Sequence, residues 1–337
     1  MSKLPGWVKR AATVLLIAGA AWFLWRGVAR DWPRVRTFEW EVNPLLLAAS
    51  VAALIGVLCW GVLVWSRVLR HFEHPPVRVG TLQRIWFVSN LARYIPGTVF
   101  QFLTAAQLSR GAGLSAAVML TSLLVHTGFS LLSAMLVSAW TLPGGLFPAL
   151  SPGALAAIAA GATLAAALFV HPRVLNGALG VVPRLLKKTV IRWNGSWANG
   201  LALLAMSVVS WAFYGVAYWL FLTSLTPVSA AHLPMLGGVN ALSFVAGWVV
   251  WFAPAGTGPR ELVMTRLLLP LLPAGVAGLI AVAARLWSVA GEVLGGLLVF
   301  AFFRRRGAVE VAPSPADEQE RPTGRDRSGA GGTMDRA

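Results

Sequence analysis

Long apolar stretches alternate with short polar punctuation along this chain, and most of the stretches have the length of a bilayer crossing. One helical crossing needs about 20 largely apolar residues. On that rule, spans are predicted at 8–28, 44–66, 116–140, 150–171, 200–223, 233–252 and 275–303. Two further stretches are apolar enough to enter lipid but too interrupted to cross it as plain helices. The first, 85–103, reads IWFVSNLARYIPGTVFQFL and carries Asn90, Arg93, a Pro96-Gly97 turn and Gln101. It is expected to form two half-helices that meet at Pro96-Gly97. The second, 253–272, contains the string PAGTGPRE (254–261) and then an apolar piece, 262–272, closed by Pro270 and Pro273. That piece is either part of a tilted or broken helix or half of a re-entrant hairpin. Irregular backbone at membrane depth is tolerated only where protein buries it or a wet cavity meets it.

Composition agrees with lipid as the solvent. The chain has 337 residues, of which 57% are hydrophobic and 12% charged, with a mean hydropathy of +0.70; soluble proteins carry roughly 25% charged residues. Residues 42–309 hold three carboxylates, Glu73, Glu261 and Glu292. These features define an all-α polytopic membrane protein of about eight spans, counting 262–272 as one. From about Gly307 the composition turns to Pro, Gly, Ser and charged residues. Such a segment cannot bury apolar area and is expected to be disordered. The chain therefore divides into a transmembrane domain, 1–306, and a cytoplasmic tail, 307–337.

The net charge of +16 and pI of about 11.6 would suit a nucleic-acid binder, but the placement of the charges excludes that reading. Lys3, Lys9 and Arg10 precede the first apolar run; Arg67, Arg70, Arg78 and Arg84 follow the second. Arg173, Arg184, Lys187, Lys188 and Arg192 share one inter-helix loop, and Arg304, Arg305 and Arg306 follow the last run. Basic clusters at alternate helix ends are the positive-inside pattern. They place 67–84 and 172–199 in the cytoplasm and the uncharged loops 141–149 and 224–232 outside. The first run is expected to stay as an uncleaved span, with both termini cytoplasmic in a multi-pass protein of the cell membrane. Residues 29–43, with Arg30, Asp31, Arg34, Arg36, Glu39 and Glu41, would form a small exterior segment. A lone cysteine, Cys59, rules out a disulfide framework and a cysteine-based zinc site. The His71-Phe72-Glu73-His74 string is read as a solvated loop, because Pro75 and Pro76 end any helix that would present both histidines together. No metal and no cofactor is expected.

The chemistry concentrates in the broken segments. Pro254, Gly256, Gly258 and Pro259 make a continuous helix through that string improbable. A helix starting at Pro259 uses proline at its favoured first turn, and its unpaired amides and positive dipole end form an anion site. Arg260 adds a planar fork suited to phosphate, and Glu261 would orient or balance it. Arg93, Tyr94, Pro96 and Gly97 offer the same ingredients: a cation, an aromatic hydroxyl and a turn exposing amides. A cavity between the two segments would be positive and suited to a lipid phosphate headgroup. Arg285 and Glu292 share a face of the last helix but stand about 10 Å apart along it. Partners on other helices are therefore expected, Glu261 for Arg285 and Arg260 or Arg93 for Glu292, because an isolated charge at mid-membrane costs about 2.5–3.5 kcal/mol. Gly291 and Gly295 are read as helix packing. Paired Gly/Pro breaks in two halves of a chain also point to a binding site between structural repeats.

The combination of RYIPGTVFQ early (93–101) and PAGTGPREL late (254–262) resembles the flippase-like transmembrane domain of lysylphosphatidylglycerol synthases, a family that includes stand-alone membrane proteins without the synthase. Arg93, Tyr94, Pro96 and Gly97 match its first motif, and Gly256, Gly258, Arg260 and Glu261 its second; Ala255 and Pro259 depart from the family's more glycine-rich loop. The resemblance implies movement of a lipid, often phosphate-bearing, between leaflets. It does not imply aminoacyl transfer, which belongs to a separate soluble domain, so an enzyme is not expected. The sequence contains no GxxxxGK[ST] nucleotide loop. Membrane lipids are thus the expected partners, with an envelope-biosynthesis partner or a second copy also in view. Two other readings stand beside this one: a scaffold subunit of an envelope-assembly complex, and an integral-membrane glycosyltransferase using Asp31, Glu39 or Glu41 as base.

Overall fold

A computed structural model describes positions 22 and 29 and residues 32–74, 76–92, 99–142, 150–185, 190–250 and 258–305. Apart from positions 22 and 29, the first predicted span and residues 30 and 31 lie outside these residues, as does the tail 307–337. Among the described residues there is no strand. The helices are α1 (Trp32–Arg36), α2 (Pro44–Leu69), α3 (Val79–Ala92), α4 (Val99–Arg110), α5 (Ala116–Thr141), α6 (Pro152–Phe169), α7 (Pro172–Leu185), α8 (Trp197–Thr223), α9 (Leu233–Val249), α10 (Pro259–Leu268) and α11 (Ala274–Arg305), with a 3-10 turn at Ala230–His232.

Local signals set the helix starts. The Asn43 side chain accepts from the Leu45 and Leu46 amides, with Pro44 in the first turn of α2. Ser115 and Ser151 cap α5 and α6 in the same way. Ser196 and Asn199 form a reciprocal box at the start of α8, which satisfies amide donors the helix cannot pair itself. Helices α2, α5, α6, α8 and α11 are long and apolar enough to cross a membrane. In its most apolar window α11 is 56% buried and α6 only 11%, so α11 is central and α6 peripheral.

The contacts sort the connections to two ends. At one end, the Glu41 and Asn43 amides donate to the Leu225 and Ser224 carbonyls, which ties the α1–α2 link to the end of α8. Val35 of α1 is buried there. At the other, basic end, the Asn194 amide donates to the His71 carbonyl, and Trp193 packs on His71 and Phe72. Loops 67–84 and 172–199 therefore share an end, as the charge pattern requires. The 71–74 string is docked as well as solvated: Phe72 is buried, and a His74 ring nitrogen lies 2.9 Å from the Leu69 carbonyl.

Two pairs of shorter helices form hairpins that open to opposite ends. Arg84 of α3 lies over the Phe300 ring near the end of α11, and α4 leads into the start of α5, so α3 and α4 open to the basic end. The Gln101 side-chain amide donates to Asn90 Oδ1 at 2.9 Å, across this hairpin. Its turn, 93–98, lies outside the described residues. Helix α9 leaves the α1 end, where its Gly238 packs on Thr141 and Leu142. Helix α10 returns there to join α11, which runs parallel to α2: Trp287 meets Ser50 and Gly291 meets Leu54. With 10 residues, α10 is about 15 Å long, half the hydrocarbon thickness. The piece 262–272 is thus an arm of a hairpin. Helix α9, at 17 residues, reaches about 25 Å. Entry and exit at one end leave the parity of crossings as in the sequence count.

Lipid tails are as apolar as leucine, so helix association rests on close packing and interhelical hydrogen bonds. Both occur. A Cβ on Gly215 of α8 would sit 3.0 Å from Gly237 Cα of α9, so these backbones touch where both residues lack side chains. Tryptophan indoles donate across helices: Trp65 to Ser122 Oγ, Trp287 to Ser50 Oγ and Trp211 to Ser133 Oγ, each at 3.0–3.1 Å. Gly291 and Gly295 pack on Leu54 and Phe87, as their spacing suggested.

Where the sequence suggests a loop after residue 171, the structure has α7, Pro172–Leu185. Leu175 and Leu179, one turn apart, face the bundle. The Asn176 side chain bonds the Trp193 backbone twice, donating to its carbonyl at 2.9 Å and accepting from its amide at 2.8 Å. A helix presenting one apolar face at the basic end has the form of an interfacial helix.

Candidate functional site

The Gly/Pro string ends where α10 begins. Gly258 has φ 100°, a conformation open to glycine and strained for other residues. It turns the chain into Pro259 and aims its own amide back at the first helical turn. Glu261 Oε2 accepts that amide at 2.6 Å, so the carboxylate caps the helix it belongs to. The other oxygen, Oε1, is buried and has no hydrogen-bond partner. Glu261 as a whole is 4% exposed, so that oxygen is held away from water with no hydrogen bond in its place.

Arg260, Glu261 and Met264 of α10 line one cleft with Ala281, Ala284 and Arg285 of α11. The charge partner expected for Arg285 therefore stands in the same cleft. Two arginines and one glutamate thus line a cleft at the N-terminus of a helix, whose dipole adds positive potential there. Arg260 and Arg285 are half-buried. Arg260 is also an electrostatic neighbour of Tyr218, whose hydroxyl is buried without a hydrogen-bond partner. Tyr214, Tyr218 and Phe221 of α8 gather with Trp287 of α11, at centroid separations of 5.1–6.2 Å. The cleft has this aromatic cluster at its side. Among the described residues it holds no space for a water molecule.

Glu292 is elsewhere. It is 7% exposed and shares the face of Gly295 and Gly296, which pack on Phe87 and Leu91 of α3. That face meets the end of α3, close in sequence to the first broken segment. Neither Arg285 nor Glu292 is free of interactions. Of the other expected site residues, Arg93, Tyr94, Pro96, Gly97 and Gly256 lie outside the described residues. The sequence reading missed Tyr218 and the aromatic cluster. The signal was present: Tyr214, Tyr218 and Phe221 recur at helical spacing, and the chain has three tyrosines in all.

An all-helical bundle with opposed hairpins and long apolar helices defines a polytopic membrane protein, with a charged cleft at the start of one helix. The family model for the lysylphosphatidylglycerol synthase TM region matches residues 10–296, and the chain belongs to that family. No curated protein and no solved structure matches it.

Proposed function

We propose that this protein moves lipids with phosphate-bearing headgroups, phospholipids or polyprenyl-phosphate-linked species, between the leaflets of the cell membrane. One observation carries the reading: two arginines, a helix N-terminus and a buried carboxylate with a free oxygen converge on one cleft inside the bundle. Charged groups in such positions pair or mark a substrate path, and here the positive charges outnumber the negative. The phosphate would meet Arg260, Arg285 and the α10 amides, while Glu261 Oε1 accepts from a hydroxyl or amine of the headgroup. Arg93, Tyr94, Pro96 and Gly97 would supply the facing half of the path.

Opposed hairpins support this reading, because broken elements entering from the two sides are the architecture in which transporters place midplane sites. The basic end is assigned to the cytoplasm by the positive-inside rule, which sets both termini there and α1 outside. The protein acts as a transporter and carries out no covalent chemistry. The test is reconstitution into liposomes with headgroup-labelled lipids and a membrane-impermeant quencher. Movement by the wild type and its loss in a folded Arg260→Ala variant is the expected result. Full activity in that variant refutes the site. No movement with any lipid class, together with failed complex assembly in the variant, favours the scaffold reading.

A further inference from the structure

The basic end carries a second feature, remote in sequence from the α10 cleft. Helices α5, α6 and α7 enclose an apolar cavity of about 210 Å³, lined by Gly128, Phe129, Leu132, Phe169, Leu175 and Leu179 among others. Leu124 and Phe169, which also line it, are 61% and 40% exposed, so the cavity opens on the side that lipid covers. A Cβ placed on Gly128 would meet nothing within 4 Å, so the absence of a side chain there leaves space in the wall. Every lining residue is apolar, and the shape suits a flexible hydrocarbon.

The rim has the opposite character. The Asn176–Trp193 clasp fixes α7 against the 190–196 segment. Arg173 lies one helical turn before Asn176 and Arg192 adjoins Trp193; both arginines are exposed. Residues 171–199 contain five basic residues and no Asp or Glu. Trp197, whose indole donates to the Ala167 carbonyl at 2.8 Å, is 43% exposed, as is usual for tryptophan at a membrane interface. An apolar slot under a cationic rim at interfacial depth matches one ligand chemistry: an acyl chain joined to an anionic headgroup.

We infer that the α5–α6–α7 cavity holds one acyl chain of a resident anionic phospholipid, whose headgroup rests on Arg173 and Arg192. Its role differs from that of a transported lipid, because the Asn176–Trp193 clasp ties the site down and it shares no residue with the α10 cleft. Such a lipid would hold α7 and peripheral α6 on the bundle.

The test is native mass spectrometry of the purified full-length protein, with dioleoyl phosphatidylglycerol or dioleoyl phosphatidylcholine added in equal amounts. Wild type should retain one phosphatidylglycerol in clear preference to phosphatidylcholine. Gly128→Phe fills the slot from a position where an added Cβ meets nothing within 4 Å, and should abolish retention while the protein keeps its native helical circular dichroism. Arg173→Ala and Arg192→Ala should each weaken phosphatidylglycerol binding about fivefold, from roughly one basic residue's attraction to an anionic surface. Equal retention of the two lipids by the wild type overturns the proposal, as does undiminished retention by Gly128→Phe. Both results are independent of whether Arg260→Ala affects transport.

Discussion

Replacing Gly258 with alanine should unlatch the candidate site while leaving the bundle folded. The native φ of 100° is strained for any residue with a Cβ, at about 1–3 kcal/mol. The reduced freedom of the unfolded chain offsets about 0.4–1 kcal/mol of this. A net loss of up to about 2.6 kcal/mol follows, or at most roughly 5 °C in melting temperature at about 2 °C per kcal/mol for a chain of this size. Relaxing φ toward negative values would swing the residue 258 amide away from Glu261 Oε2, breaking the 2.6 Å bond that caps α10. The carboxylate would then have both oxygens unpaired, and the first helical bond, from the Leu262 amide to the Gly258 carbonyl at 2.9 Å, would open more often. Hydrogen exchange followed by mass spectrometry should show faster exchange at 260–263 with little change in α2 or α8. Gly61→Ala is the control: a Cβ there meets nothing within 4 Å, and alanine in a helix interior stabilises by about 0.5–1 kcal/mol. If Gly258→Ala behaves like Gly61→Ala in both stability and exchange, the cap geometry argued here is wrong.

Other substitutions probe separate contacts in the bundle. Glu261→Gln keeps an oxygen for the residue 258 amide but removes the charge, so it should retain stability more nearly than Glu261→Ala while both lose lipid movement in the liposome assay. Gly215→Val should cost about 1–3 kcal/mol in thermal unfolding, because the α8–α9 contact has no room for added atoms; an unchanged melting temperature would refute that contact. Trp287→Phe should cost about 1 kcal/mol through the lost bond to Ser50 Oγ, and the double variant with Ser50→Ala should show non-additivity. Burial against Trp193 lowers the His71 pKa from its ordinary 6.5, so the folded state favours the neutral ring. Its contribution to stability should be fully present above pH 6.5 and decline as pH falls through that value toward the lowered one. The stability difference between wild type and His71→Asn should narrow from pH 8 to pH 5; a constant difference would exclude the linkage.

The spans were readable because lipid as solvent leaves long runs with few charges, and charge placement sorted the loops to two ends without any contact information. The α10 start was equally legible: Pro259 followed by Arg260 and Glu261 permits little else. Pairing was harder. Charge balance pointed to Glu261 as the partner for Arg285, and the two line one cleft, but helical spacing alone did not show that the face of α11 carrying Glu292 meets α3. Helix α7 escaped notice because its arginines and Pro183 mask a short apolar face that matters only at an interface. The tryptophan–serine bonds between helices were also hidden, since serine in an apolar run signals nothing until its partner is known.

Helix α10 has a consequence for how the protein is made. It is ten residues long and carries Arg260, Glu261 and Arg266, so by itself it would not partition from the translocation machinery into lipid, where each charge costs about 2.5–3.5 kcal/mol. It can enter the bilayer only after α9, α11 and α8 have provided a protein wall, and the charged cleft is therefore among the last parts to assemble. A chain interrupted during biogenesis would have its full-length spans embedded and its site still outside. Quality control of such a protein would in effect be a check on whether α10 has come in.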